Sequence, residues 1–267
     1  NVYAAGVAVA KGDPAAPFDI HRQLEAERAI FGPGTPFYGW HYPPFFFAIA
    51  FLVAAVPYAW GLAIWLGASF AAYLAAIRAI LPRRETLLVA AAFPAVFVNV
   101  GHGHNGFLTA ALLGGALHWL DRRPWLAGVL IGMLAYKPQF GVLIPIALVA
   151  GGRWRTIGAA TATVAALVAI SFALLGSGIW HAFADSMNFT QTVVLEQGGT
   201  GWQKIQSIFS AVRAWGASVP IAYAAQATLF AARAATLAWL WHSDAASELK
   251  AAALALGSLL ATPYVLD

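Results

Sequence analysis

Of the chain's 267 residues, 61% are hydrophobic and only 10% are charged, against roughly 45–50% and about 25% in ordinary soluble domains. Apolar stretches recur along nearly the whole length and mean hydropathy is +0.71, which excludes a soluble body on one greasy anchor and makes the membrane this protein's solvent. The chain has no cysteine, which rules out a disulfide framework, a thiolate nucleophile and cysteine-ligated zinc; its net charge is +4.

Residues 1–42 are mixed and polar, rich in Gly and Pro, and read as a loop outside the hydrocarbon with one amphipathic helix over 19–28. The absence of an initiator Met before Asn1 leads us to expect an internal excerpt of a longer chain. Pro43 to Leu81 is almost continuously apolar, broken at Pro57-Tyr58; at about 1.5 Å per residue and a core of about 30 Å it is too long for one span and barely enough for two. Further apolar runs cover Thr86–Val100, Gly106–Leu120, Pro124–Tyr136, Phe140–Ala150, Ile157–Leu175, Val219–Trp241 and Ala251–Leu266. Several are short, favouring half-helices or tilted buried helices over lipid-facing rods.

The basic residues cluster between these runs, at Arg78, Arg83 and Arg84, at Arg122 and Arg123, and at Arg153 and Arg155. They read as cytoplasmic anchors rather than nucleic-acid contacts. That orientation puts the Gly101–Asn105 turn, Lys137 and the 178–218 stretch on the opposite face, and requires Pro43–Pro57 to be re-entrant or interfacial. The fold class expected is all-α, a polytopic transmembrane helix bundle with an external N-terminal loop and re-entrant or short helices. It forms one integral-membrane domain over 1–267: external loop 1–42, first helix group 43–177, external loop with interfacial helices 178–218, and last helices 219–267.

Polar groups at membrane depth cost about 2.5–3.5 kcal/mol each when ionised, so each asks for a purpose. Asn99-Val100-Gly101-His102-Gly103-His104-Asn105 joins two apolar runs with imidazoles and amides. It is either a polar helix–helix turn or a donor cluster for an anion at the start of the next helix. A metal pair from His102 and His104 would lack a nearby carboxylate and is a weak reading. Tyr136-Lys137-Pro138-Gln139 breaks the apolar stretch from Trp125 to Ala150. Lys137 either snorkels to an interface or faces a polar cavity and neutralises an anion, with phosphate the natural candidate. Trp40-His41-Tyr42-Pro43-Pro44 marks re-entry of the chain into the membrane; its aromatics suit an interface, whereas His41 asks for a function.

Taken together, Asn1-Val2-Tyr3-Ala4-Ala5-Gly6, Tyr42-Pro43-Pro44, the polar turn before Gly106-Phe107-Leu108, Leu134-Ala135-Tyr136-Lys137-Pro138-Gln139, Arg153-Trp154-Arg155, Gly201-Trp202-Gln203-Lys204-Ile205-Gln206-Ser207 and Ala261-Thr262-Pro263-Tyr264 resemble, in order and spacing, glycosyltransferase family 87. The resemblance implies a GT-C-like bundle and an inverting transfer from a polyprenyl-phosphate sugar. It also implies a catalytic carboxylate in the first external loop just before Asn1, so the catalytic residue is not expected within this chain. His104 departs from the family, whose turn more often carries Gln, although an imidazole still donates to phosphate.

The expected function is a membrane hexosyltransferase, with mannose as the leading sugar, moving the hexose from its lipid carrier to a lipid or glycan acceptor on the extracytoplasmic face of a bacterial inner membrane, as part of cell-envelope synthesis. Substrate binding is expected from His41, His102, His104, Asn105, Lys137 and Gln139, with Trp202 and Gln206 near the acceptor and Trp40 or Trp202 available to stack on a sugar ring. No cofactor and no metal site are expected. The expected partners are the polyprenyl-phosphate sugar, the acceptor and membrane lipids, with no nucleic acid. The alternative is a transporter or flippase for an anionic lipid-linked substrate, against which stands the lack of paired hydropathy repeats.

Overall fold

The computed structural model describes residues 1–199 and 201–263. Tyr264 of the terminal motif and the end of the last apolar run lie outside the described residues. The α-helices are α1 (Val2–Ala10), α2 (Ile20–Phe31), α3 (Phe47–Ala54), α4 (Tyr58–Ile80), α5 (Thr86–Ala92), α6 (Pro94–His102), α7 (Gly106–Trp119), α8 (Pro124–Met133), α9 (Leu143–Ala150), α10 (Trp154–Leu175), α11 (Gly178–Phe189), α12 (Ile208–Ala214), α13 (Val219–His242) and α14 (Ser247–Leu259). A π-helical segment, Thr190–Glu196, extends α11. There is no strand among the described residues.

Two helices, α4 and α10, are long and apolar enough to cross a membrane. At 1.5 Å per residue they reach about 33–35 Å, slightly more than the hydrocarbon core. Only 17% and 11% of their most apolar windows are buried within the protein, so neither is the core helix of a soluble body. Trp60 and Leu174 are 68% and 77% exposed, large apolar surface of the kind a bilayer accommodates better than water does.

Local chemistry sets the boundaries. Asp19 caps α2, its carboxylate accepting from the backbone N–H groups of His21 and Arg22 at 2.9 Å each, which places the expected amphipathic helix. The run Thr86–Val100 is two helices rather than one: Phe93 is extended (φ −63°, ψ 131°) and Pro94 opens α6, because proline disfavours helical geometry in the residue before it. Hydropathy is blind to that break. The first loop also holds α1, a nine-residue helix hidden by its short length between polar flanks.

The chain divides into two compact units. In the first, residues 1–119 and 164–187, α1 lies against α3 and α4 against α7. Gly6 makes the first pairing possible, since a Cβ there would overlap the Ala50 carbonyl. In the second unit, residues 120–163 and 188–267, α8 meets the first half of α10 through Gly128 and Gly132. A Cβ on Gly128 would overlap the Thr156 carbonyl, and one on Gly132 would come within 2.5 Å of the Thr163 Cβ. This is the small-xxx-small device by which helices approach closely in lipid. Elsewhere in this unit α9 packs on α13 and α14, and Leu195, Ile205, Phe209 and Ala222 form a core under α12.

Candidate functional site

In the first unit the loop leading into α3 and the polar turn between α6 and α7 are joined. The Asn105 amide donates to the Tyr42 hydroxyl at 2.8 Å, which brings His41-Tyr42 beside His104-Asn105. The turn is held by Asn99. Its carbonyl oxygen accepts from the Gly106 backbone N–H at 2.9 Å and its amide donates to the His104 carbonyl at 3.1 Å. Gly103 ends α6 in the left-handed region (φ +66°), a geometry that costs glycine no steric penalty. Asn99 and Asn105 thus build a polar helix–helix turn, and the imidazoles of His102 and His104 stand on it.

His102 is exposed, and its Nδ1 lies 2.9 Å from the Val98 carbonyl. A carbonyl only accepts, so in this hydrogen bond Nδ1 carries the proton. The His102 and His104 rings stack with centroids 5.2 Å apart. The half-buried His41 ring lies over Gly39, where a Cβ would meet it, and the Gly39 carbonyl accepts from the Asn1 side chain at 2.9 Å. Burial pulls the His41 imidazole down to about 4, so His41 is neutral at physiological pH. Burial also raises the Tyr42 hydroxyl, against the opposing pull of the Asn105 hydrogen bond.

Trp40 takes no part in an open surface. It is 2% exposed and stacks on Phe47 with centroids 4.9 Å apart and planes within 1°. Its ring anchors the loop onto α3.

In the second unit Lys137 stands between two single 3₁₀ turns, Leu134–Tyr136 and Pro138–Gly141, which separate α8 from α9. Pro138 enforces the break. Lys137 is half-buried, and its ammonium has no hydrogen-bond or ion-pair partner among the described residues. Gln139 is half-buried next to it. At the base of this excursion Arg153 pairs with Asp121 at 2.6 Å, which sets the Arg122-Arg123 loop beside the Arg153-Arg155 loop. Lys137 is sixteen residues from each partner, at the far end of the excursion.

Trp202 is committed within this unit. Its indole N–H donates to the Leu195 carbonyl at 3.2 Å, and the Arg213 guanidinium lies 4.9 Å from the ring centroid, a cation–π contact. Arg213 also donates to the Glu196 carbonyl at 3.0 Å, and the Glu196 carboxylate accepts from the Tyr223 hydroxyl at 2.9 Å. The Trp202 segment is thus clamped to the end of the π-helical turn. Gln206 is exposed.

One structural residue escapes a reading of hydropathy. Gln226, 4% exposed on α13, accepts from the Phe209 backbone N–H at 3.1 Å and donates to the Ala261 carbonyl at 3.2 Å. It ties the start of α12 to the end of α14. The single amide of a largely apolar helix was the available signal.

A sequence model of glycosyltransferase family 87 matches residues 40–263. The chain belongs to glycosyltransferase family 87. The match covers most of the chain and takes in every expected binding residue from His41 to Gln206, while the Asn1–Gly6 element precedes it. No curated protein and no solved structure matches. Membership of this membrane glycosyltransferase family makes the chain a glycosyltransferase, and with it the transporter reading loses its ground.

Proposed function

We propose that this family 87 member transfers a hexose, mannose in the leading case, from a polyprenyl-phosphate carrier to a lipid or glycan hydroxyl on the extracytoplasmic face of a multi-pass bacterial inner-membrane protein. The observation that carries the reading is Lys137: a half-buried cation, unpartnered among the described residues, held at a proline break between two apolar helices. Such a group is costly in a membrane protein unless an anion meets it.

In the transfer, the acceptor oxygen attacks the anomeric carbon while the bond from that carbon to the phosphate oxygen breaks. The phosphate departs with the bonding pair, and the hydroxyl proton passes to a carboxylate that the family resemblance puts before Asn1. Lys137 stabilises the charge growing on the leaving phosphate, and Gln139 orients it. Within the first unit, His41, His102, His104 and Asn105 offer imidazole and amide groups of the kind that bind sugar or phosphate oxygens. Trp202 and Gln206 shape the acceptor side. The Asp121–Arg153 pair supports the orientation, since it holds two arginine loops at one end of an excursion whose other end carries Lys137.

The test is transfer of labelled mannose from polyprenyl-phosphate mannose by the full-length protein in proteoliposomes, comparing Lys137→Met with the parent. Removing one electrostatic stabiliser of the transition state costs about 10²–10³ in kcat. We expect that loss with an unchanged melting temperature, and Lys137→Arg should recover part of it. Full activity in Lys137→Met would overturn the phosphate role.

A further inference from the structure

Glu27, on α2 in the first unit, is the one buried Asp, Glu, Lys or Arg among the described residues, with 0% exposure. Such groups are almost never fully buried unless paired, yet among the described residues Glu27 meets no Lys or Arg. Its partners are N–H donors instead. Oε1 accepts from the Gln23 side-chain amide and Oε2 from the Tyr38 backbone N–H, at 2.9 Å each. The Asn1 backbone nitrogen lies 3.6 Å from Oε1. Gln23 is 1% exposed, and in turning its amide N–H toward the carboxylate it leaves its own oxygen without a hydrogen-bond partner. A bond to a carboxylate is stronger than one between neutral groups, which is why the carboxylate is served first.

What Glu27 grips is the chain that leads to His41. Between the end of α2 and the 3₁₀ turn Pro44–Phe46 the backbone is not helical, so it depends on individual bonds to hold its course. Gly32 closes α2 at φ +101°, and the Thr35 hydroxyl donates to the Gly32 carbonyl at 2.8 Å. Glu27 then fixes Tyr38, and the Asn1 side chain fixes the Gly39 carbonyl at 2.9 Å. The His41 ring rests against Gly39, and the next residue, Tyr42, is tied to Asn105. His41 thus stands between two anchors. The Tyr42–Asn105 bond is one, and the Tyr38-Gly39 backbone, held from α2 and from the start of α1, is the other.

We propose that Glu27 is the positioning residue of the His41 loop. Its carboxylate is out of reach of any substrate; it holds Tyr38-Gly39 so that the His41 imidazole keeps one orientation toward the sugar donor. No bond or proton changes hands at Glu27, and its effect is preorganisation alone. The proposal rests on the reading of His41 as a group that binds the sugar donor.

The full-length protein in proteoliposomes tests it, with polyprenyl-phosphate mannose as donor and Glu27→Met, Glu27→Gln and His41→Ala as variants. Glu27→Met keeps the volume and removes both acceptors, so the donor KM should rise about tenfold while kcat changes less. Glu27→Gln keeps an oxygen for the Tyr38 N–H and should stay within about threefold of the parent. In a His41→Ala background Glu27→Met should change the donor KM by less than about twofold, because residues that act as one unit are not additive. A merely structural role lowers the active fraction, which reduces kcat and leaves KM alone. A parental donor KM in Glu27→Met, a fall in kcat only, no rescue by Glu27→Gln, or effects of Glu27→Met and His41→Ala that multiply in full would each overturn the proposal. Should Glu27→Met fail to fold, Glu27→Asp, one methylene short of the Tyr38 N–H, is read in its place.

Hydrogen–deuterium exchange separates this proposal from the choice of donor. In Glu27→Met, peptides covering residues 32–42 should exchange about tenfold faster or more, with the rest of the protein unchanged. A parent that transfers nothing from this donor sinks the proposed function. Unchanged exchange over 32–42 overturns the anchor whatever the sugar.

Discussion

Tyr42 and Asn105 lie 63 positions apart in the chain and meet through a 2.8 Å hydrogen bond. This contact joins the loop entering α3 to the turn between α6 and α7, and so sets His41 near His104. Asn105 is buried, and an amide that loses its acceptor there pays its desolvation cost. Tyr42→Phe should therefore lower stability by about 1–3 kcal/mol, read as a drop in the melting temperature of the purified full-length protein. Because the bond also orients the turn, transferase activity should fall with the protein folded. A variant as stable and active as the parent would show that the two segments do not depend on this bond.

Close packing of α8 on α10 yields a second prediction. Gly132 faces the Thr163 side chain, where even a Cβ would come within 2.5 Å, whereas Gly67 on α4 has nothing within 4 Å of a Cβ. Gly132→Leu should force α8 away from α10 and cost on the order of 2–4 kcal/mol. Gly67→Ala should be neutral or stabilising by up to about 1 kcal/mol, since alanine loses less freedom in a helix. Similar melting temperatures for the two variants would mean that the α8–α10 contact is not close.

Gln226 gives a third. Replacing it by Leu keeps much of the volume and deletes the groups that serve the Phe209 N–H and the Ala261 carbonyl. Two backbone groups left unpaired in a buried site should cost about 2–4 kcal/mol in total. Gln226→Glu should cost less at low pH, where the neutral acid still donates and accepts, than at pH 8, where it can only accept. Measuring both variants across that range separates lost packing from lost hydrogen bonding.

Breaks in the chain were readable in its sequence because they are covalent facts. Pro138 marks the end of the α8 segment, and Asp19 signals the start of α2. Pro94 carried the same kind of information, and a hydropathy run passed over it. The helix α1 was missed because nine residues between polar flanks carry too little periodicity to declare themselves. The polar turn and Lys137 stood out as polar groups among apolar ones, a local property. What they touch is not local: the Tyr42–Asn105 bond, the Trp202 clamp and the Gln226 tie each need segments distant in sequence to come together. The four-residue spacing of Gly128 and Gly132 is a signal that a reading of hydropathy runs did not use, and the helix they approach is not local information.

His41 supplies the pH prediction. Burial lowers its imidazole from 6.5 to about 4 in the folded protein. Between those values the unfolded chain binds the proton and the folded one does not, so stability rises with pH there. The contribution is fully present above about pH 6.5 and is lost as pH falls toward 4. Replacement by Gln keeps a polar side chain of similar reach and removes the titration. The melting temperature of the parent should thus fall more steeply than that of His41→Gln between pH 6.5 and pH 4, with the two curves parallel above pH 7. The carboxylates that titrate in the same range act equally in both proteins, so the difference between the curves isolates His41. Parallel curves throughout would mean that His41 is solvated in the folded protein, and that the loop beside Gly39 does not close over its ring.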